Sequence, residues 1–151
     1  MEKLDARKRY TQMVLKQSFL ELLKEKPVSR ITVKEVCALA QLNRATFYAH
    51  YSDCFALMES IENELIDAFE KSLRYVNSFD VTALIEAIYD MVDQNQEACR
   101  VLILGNTSST VLMRMIALAK EDSIAYWRKE LPNASETELE MMYTHLSNGL
   151  M

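Results

Sequence analysis

The chain has 151 residues, half of them apolar, and a formal net charge of −5. That length can bury one or two small hydrophobic cores, and a content of only two glycines and two prolines favours long helices over a turn-rich sheet protein. No apolar run approaches the roughly 18–20 residues of a membrane span, and the charged start MEKLDARKRY differs from a secretory signal. The three cysteines are widely spaced, which fits reduced thiols. We therefore expect a soluble, cytoplasmic protein that does not interact with membranes.

The charge is distributed unevenly along the chain. Residues 1–52 hold ten basic and five acidic side chains, a net of +5, which leaves −10 for the remainder. A basic first third on an acidic body is typical of a polyanion-binding module joined to a second domain. Solvated helix faces of uneven charge explain the asymmetry equally well, so charge alone leaves both explanations open.

The first third of the chain shows two helices in sequence. Apolar and small residues recur at the spacing of an amphipathic helix, and Pro27 ends that pattern. Thr32 and Glu35 have the spacing of a capping box, which predicts the start of a short helix there. The residues predicted to face inward are Thr11, Val14, Leu15, Ser18, Phe19, Leu22 and Leu23 in the first helix, and Val36, Leu39 and Ala40 in the second.

A second short helix and a long helix follow. After a three-residue turn at 41–43, Asn43 is a good N-cap for a helix that ends near Tyr51 and turns Phe47 inward with Tyr51. Ser52 or Asp53 then caps a long helix. Its predicted apolar stripe is Phe55, Met58, Ile61, Leu65, Phe69 and Leu73.

The remainder is predicted to be helical as well. The periodicity loosens at 76–80, VNSFD, which we interpret as a domain junction. One helix is predicted with Leu84, Ile85, Ile88, Met91 and Val92 inward, and further helices across Glu97–Leu104 and from the 107–110 run to Leu131. A second capping box at Ser135 and Glu138 begins a last helix, whose apolar stripe is Leu139, Met142, Tyr143, Leu146 and Leu150. No stop signal precedes residue 151, so we expect the natural helix to continue. The pattern predicts an all-α protein of about eight helices.

Residues 32–51 have the dimensions of a helix-turn-helix. In that motif the second short helix enters the major groove of DNA and places its first residues against base edges. Arg44, Ala45 and Thr46 begin this helix, and Tyr48 and His50 lie further along it. A purely structural helix-turn-helix without a nucleic-acid partner is the alternative reading of the same pattern.

The stretch Ile31–Met58, ITVKEVCALAQLNRATFYAHYSDCFALM, resembles the DNA-binding domain of the TetR/AcrR family of bacterial transcription regulators. The specific parts are T-F-Y-x-H-Y, the preceding T-V-x-E-V and the following S-D-x-x-x-L-M. The resemblance covers roughly the first half of the chain. It implies a helix-turn-helix domain at 1–52, a linking helix from 53, and a helical regulatory and dimerisation domain at 53–151.

The resemblance also implies roles for individual residues. Thr32 would contact phosphate, and Lys34 would reach phosphate or a guanine edge. Arg44 and Ala45 would read bases. Thr46 would supply a hydroxyl contact to a base or to the backbone.

Two further residues would contact the DNA backbone. Tyr48 and His50 would contact phosphate, with Tyr48 also able to pack on a thymine methyl, and the basic run 7–9 would add salt-dependent affinity.

Two positions depart from the family pattern. The turn usually has glycine where this chain has Gln41. The next helix usually begins with a phosphate-binding lysine where this chain has Cys54, whose thiol pKa a helix amino terminus could lower.

The resemblance implies a homodimer on palindromic operator DNA, acting as a repressor released by an inducer, with a dimer interface at Thr110–Leu131 and from Ser135 onward. Seven of nine methionines lie from Met58 onward. They suit a pocket for a small apolar or amphipathic effector, although a plain core or a dimer interface explains them equally well. We expect no metal, no cofactor and no enzymatic activity, because no catalytic motif is present. A helical protein-interaction or co-activator module with weak DNA binding is the alternative.

Overall fold

The computed structural model of the chain describes residues 2–73, 81–105 and 109–148, and describes backbone alone at 2–4, 81, 84, 109 and 146–148. Regular structure in these ranges is helical, which confirms the all-α prediction. The predicted junction at 76–80 and Leu150 lie outside the described residues, and so do the side chains of Leu84 and Leu146. The helices are α1 Glu2–Glu25, α2 Val33–Ala40, α3 Arg44–Tyr48, α4 Cys54–Leu73, α5 Val81–Gln94, α6 Gln96–Leu102, α7 Ser109–Glu130 and α8 Glu136–Asn148.

The chain forms two compact units. The amino-terminal unit comprises Met1–Leu65 and Asn95–Ser109, and the carboxyl-terminal unit comprises Ile66–Gln94 and Thr110–Met151. The helix α4 contributes its first part to one unit and its last part to the other. The domain boundary between 52 and 53 stays a prediction. The segment that contains α6 returns to the amino-terminal unit, which nothing in the sequence predicted.

The amino-terminal unit has a core built from one face of each helix. Leu15, Phe19 and Leu23 of α1 are buried, as the periodicity predicted, and Pro27 follows the end of that helix. The other fully or nearly fully buried side chains of this unit include Val36, Phe47, Leu57, Ile61 and Leu102. The unit therefore holds α2 and α3 in place through apolar side chains from several helices.

Three helix starts follow local capping rules. Thr32 closes the predicted capping box, since its hydroxyl accepts from the Glu35 N–H at 3.3 Å and its own N–H donates to Glu35 Oε2 at 3.0 Å. Asn43 Oδ1 accepts from the Thr46 N–H at 2.7 Å, and Asp53 Oδ1 accepts from the Ala56 N–H at 2.8 Å. The helix α3 ends at Tyr48 rather than near Tyr51, and α6 ends at Leu102 rather than Leu104.

Several predicted inward residues instead face outward. Leu39 is 52% exposed and Phe55 is 59% exposed, while Cys37 and Leu57 are buried in their helices. With 3.6 residues in each turn, Phe55 lies about 100° around the axis from the buried Cys54. Ile85 and Val92 of α5 are exposed for the same reason, because an apolar residue at helical spacing does not reveal how wide the buried face is.

In the carboxyl-terminal unit, polar contacts tie neighbouring helices together. The Ser72 hydroxyl of α4 donates to the Ala87 carbonyl of α5 at 3.3 Å. The Tyr143 hydroxyl of α8 donates to the Ile116 carbonyl of α7 at 3.2 Å. Arg128 of α7 donates to both carboxylate oxygens of Glu136, at 2.6 and 2.7 Å, which joins the same two helices near their connection.

Candidate nucleic-acid interface

The turn between α2 and α3 closes without glycine. Gln41 has φ 55° and ψ 38°, the left-handed conformation, which costs a residue with a side chain on the order of 1 kcal/mol. The Leu42 N–H donates to the Cys37 carbonyl at 2.9 Å and the Gln41 N–H donates to the Ala38 carbonyl at 3.3 Å. This pair of bonds is a Schellman ending of α2. Gln41 therefore takes the conformation for which the family pattern has glycine, and α3 follows at once.

Two aromatic side chains anchor α3 from its inner side. Phe47 is completely buried and Tyr51 nearly so, with their ring centroids 5.9 Å apart. Tyr48 packs edge-on against Phe47 at 5.6 Å but remains 55% exposed. Arg44 and Ala45 are exposed at the start of the helix. The structure thus brings the predicted base readers and Tyr48 to the outer side of a helix fixed from behind.

The threonines among the predicted contacts already have partners. The Thr46 hydroxyl donates to Asn43 Oδ1 at 2.9 Å, and the Thr32 hydroxyl donates to Glu35 Oε2 at 2.8 Å. Lys26 pairs with Glu35 at 2.5 Å, and this contact followed by the Thr32 bonds lowers the pKa of Glu35 to about 2. Each hydroxyl would have to exchange its carboxylate or amide acceptor for a phosphate before it could donate to DNA.

The basic side chains of the amino-terminal unit fall into two groups. Lys16 pairs with Glu64, Lys24 with Glu21 and Glu97, and Lys26 with Glu35. In contrast, Lys34 of α2 and Arg44 of α3 are exposed and form no ion pair with any residue that the structure describes. The same holds, within the described part of the chain, for the basic run 7–9 on α1. The unpaired cations of the described part of this unit thus include those that the sequence singled out, with Arg30 and Arg100 in addition.

His50 follows α3 and is half-buried beside Tyr51, with ring centroids 6.2 Å apart. Its Nδ1 atom and the Tyr51 hydroxyl are buried without a hydrogen-bond partner among the described residues. Buried polar atoms in folded proteins are normally paired. The Nε2 side of the His50 ring is therefore the side that remains for a contact to DNA.

The Cys54 thiol is buried, but its pKa differs from what a position at a helix start suggests. It is only 5% exposed, and burial, followed by the nearby Asp53, Cys37 and Glu35, raises the pKa of its thiol to about 11. The expectation of a lowered thiol pKa at this helix start was wrong, because the loss of solvent outweighs the favourable helix terminus. A lysine at this position would have to extend its stem out of the core to reach phosphate.

Sequence reasoning missed the contact of α6 with α1. Lys24 Nζ of α1 lies 2.6 Å from Glu97 Oε2 of α6 and 2.8 Å from Glu21 Oε1. The hydrogen bond from Lys24 keeps the pKa of Glu97 below its ordinary value. No local signal could have revealed a pair so far apart in the chain.

Within 2–73, 81–105 and 109–148, no three His, Cys, Asp or Glu side chains are grouped so that they could hold a metal ion. No helix in the same ranges has the length and apolarity required to cross a bilayer.

Two solved structures are similar to the chain over most of its length. One is described as a TetR transcriptional regulator from Streptococcus agalactiae 2603V; it is 23% identical, covers 95% of this chain and 81% of that chain, and has a TM-score of 0.62. The other, a transcriptional regulator described as TerR/AcrR family from Aquifex aeolicus VF5, is 18% identical, covers 91% and 81%, and has a TM-score of 0.61. The chain has the TetR fold.

One curated protein is similar in sequence to part of this chain. YxbF of Bacillus subtilis (strain 168), described as an uncharacterized HTH-type transcriptional regulator, is 30% identical over 59 residues, which are 39% of this chain. The match spans only 16% of that relative's length. No family model matches the chain. The comparisons confirm the predicted fold, an amino-terminal helix-turn-helix followed by further helices.

Proposed function

We propose that the chain is a sequence-specific DNA-binding transcriptional regulator that acts as a repressor and is released by a small-molecule inducer. The observation that carries this proposal is the division among the cations of the amino-terminal unit. Lys34 and Arg44 project from α2 and α3 without an acidic partner in the described part, whereas Lys16, Lys24 and Lys26 are neutralised within the unit. Unpaired exposed cations on a helix-turn-helix suit a polyanion.

The contact residues divide into two roles. Arg44 and Ala45, at the exposed start of α3, read base edges, where Arg44 can donate two hydrogen bonds to guanine. Thr46 adds a hydroxyl contact beside them. The residues that position the protein on phosphate are Thr32, Lys34, Tyr48 and His50, and the basic run 7–9 adds affinity without sequence preference.

The regulator acts as a homodimer on a palindromic operator, because one short recognition helix reads too few bases for a specific site. The chain binds DNA without a cofactor and catalyses no reaction. Its inducer is a small apolar or amphipathic molecule that shifts the population toward a form with low DNA affinity. Of the methionines offered for such a pocket, Met91 and Met115 are buried, while Met113, Met141 and Met142 are exposed.

An anisotropy titration against the DNA that flanks the chain's own gene tests this function. We expect Arg44→Ala to lose roughly 1–3 kcal/mol of discrimination between operator and scrambled DNA. His50→Ala should weaken binding to both DNAs alike. Lys129→Ala, which removes an exposed charge in the other unit, is the matched control and should change neither.

The alternative, a protein-interaction or co-activator module, predicts a different titration. A protein of this kind should bind DNA weakly even at low salt, and its Arg44→Ala variant should bind with the same affinity. Either result would exclude the regulator function. The turn no longer favours this alternative, since Gln41 adopts the conformation that glycine would take.

A further inference from the structure

A surface cavity of about 480 Å³ lies entirely within the amino-terminal unit, where the end of α1 meets α6. That volume falls in the range of sites for small organic molecules, roughly 300–1,000 Å³. The helix-turn-helix contacts proposed above take no part in its lining. The residues that line it are Leu23, Lys24, Glu25, Lys26, Pro27, Arg100, Val101 and Gly105.

Three of the lining side chains are cations and one is an acid. Lys24 and Lys26 each hold a carboxylate from a neighbouring helix, Glu97 of α6 at 2.6 Å and Glu35 of α2 at 2.5 Å. Arg100 is exposed, and its guanidinium forms no hydrogen bond or ion pair within the described part of the chain. An unpaired guanidinium at a cavity wall can donate two parallel N–H hydrogen bonds to a carboxylate.

The rest of the wall is apolar. Leu23 and Val101 are largely buried and present the remainder of their surface here, and Pro27 contributes its ring. An occupant with a compact apolar body and one negatively charged end matches both parts of the wall. A neutral molecule would leave Arg100 unpaired, and an inorganic anion would leave the apolar wall uncovered.

We propose that this cavity is a binding site for a small organic anion, whose carboxylate pairs with Arg100 and is flanked by Lys24 and Lys26. Its apolar body lies against Leu23, Pro27 and Val101. None of the lining residues is a proposed DNA contact, although Lys26 is connected to Thr32 through Glu35.

The protein already contains a competitor for this anion. The Glu97 carboxylate takes one hydrogen-bond donor of Lys24 and acts electrostatically on Arg100, three residues further along α6. Removal of the Glu97 carboxylate should therefore leave Lys24 and Arg100 more available to the negative charge of the ligand. Two substitutions on one helix, Arg100→Gln and Glu97→Gln, are thus expected to change the affinity in opposite directions.

The experiment is a fluorine NMR titration of the full chain with para-trifluoromethylbenzoate, and with para-trifluoromethylbenzamide as the neutral probe of the same shape. We expect saturable binding of the benzoate and much weaker binding of the benzamide. Arg100→Gln should weaken the benzoate about threefold or more, and Glu97→Gln should strengthen it by a similar factor. Arg30→Gln, an equal charge change in the same unit outside the cavity, should leave it unchanged.

Three results would overturn the site: equal binding of benzoate and benzamide, no saturable binding of either, or the same affinity in Arg100→Gln as in the parent chain. Circular dichroism of every variant controls for folding. If Arg100→Gln fails to fold, Arg100→Lys takes its place, since lysine keeps the charge but loses the paired N–H donors and should also weaken benzoate binding. DNA affinity is not the readout, so failure here leaves the proposed regulator function untouched.

Discussion

Gln41 is the residue at which the chain departs most clearly from the TetR/AcrR pattern that it resembles, and its backbone conformation shows the cost. It is the one non-glycine residue with positive φ in the described part of the chain. A side chain in the left-handed region is crowded against its own carbonyl, whereas glycine is not. The departure therefore affects stability rather than the path of the turn.

We expect Gln41→Gly to raise the free energy of unfolding by about 0.5–1 kcal/mol, since relief of the left-handed strain exceeds the added freedom of the unfolded chain. Urea denaturation measures this change. Gln17→Gly, the same substitution at an exposed position inside α1, should lower the free energy of unfolding by about 1 kcal/mol. A destabilised Gln41→Gly variant would show that the Gln41 side chain makes a contact worth more than the strain.

At the scale of helices, the capping box of α2 links the stability of the helix-turn-helix to pH. Lys26 and then Thr32 hold the pKa of Glu35 at about 2, below its ordinary value of 4.5. A carboxyl whose pKa falls on folding stabilises the folded state above pH 4.5, and that contribution is lost as the pH falls toward 2.

Glu35→Gln should consequently lower the melting temperature at neutral pH, and its difference from the parent chain should shrink as the pH falls from about 4.5 toward 2. Thermal unfolding followed by circular dichroism across this range measures the difference. Glu59→Gln, at an exposed position on α4, is the control and should show no such trend. A difference that stays constant with pH would mean that the Glu35 carboxylate does not stabilise α2.

Helix boundaries were more predictable than helix faces, for a physical reason. The caps at Thr32, Asn43 and Ser135 depend on residues three positions apart, so the sequence contains the whole interaction. The side that a helix buries depends on neighbours from distant parts of the chain. Leu39 and Phe55 were thus assigned to the core and are exposed.

At the scale of the whole molecule, the sequence predicted the order of the helices but not their grouping. Arg44 and Ala45 could be proposed as base readers because they lie at fixed positions of a local motif. The return of α6 to the amino-terminal unit buries Cys99, Val101 and Leu102 and brings Glu97 to Lys24, although α1 and α6 are separated by about half of the chain. No periodicity or spacing reports such a contact.

The homodimer predicted through α7 and α8 can be tested in the carboxyl-terminal unit. Met142 of α8 is 38% exposed in the single chain, and a carboxylate placed there would be buried by a partner. We expect Met142→Glu to raise the dimer dissociation constant about tenfold or more. Sedimentation velocity over a range of concentrations measures it.

Val92→Glu is the matched control for the dimer, because Val92 is 40% exposed but lies on α5, outside the predicted interface. This variant should dissociate like the parent chain. If it separates the subunits while Met142→Glu does not, then α5 rather than α8 forms the interface.

The positions of the cysteines and of the single tryptophan provide a natural pair of reporters. Cys37, Cys54 and Cys99 are all buried in the amino-terminal unit, whereas Trp127 belongs to the carboxyl-terminal unit. A thiol reagent can reach these sulfurs only when the first unit opens, and the fluorescence of Trp127 changes when the second unit does. The unlabelled protein can thus show whether its two units unfold together, and whether DNA protects one of them alone.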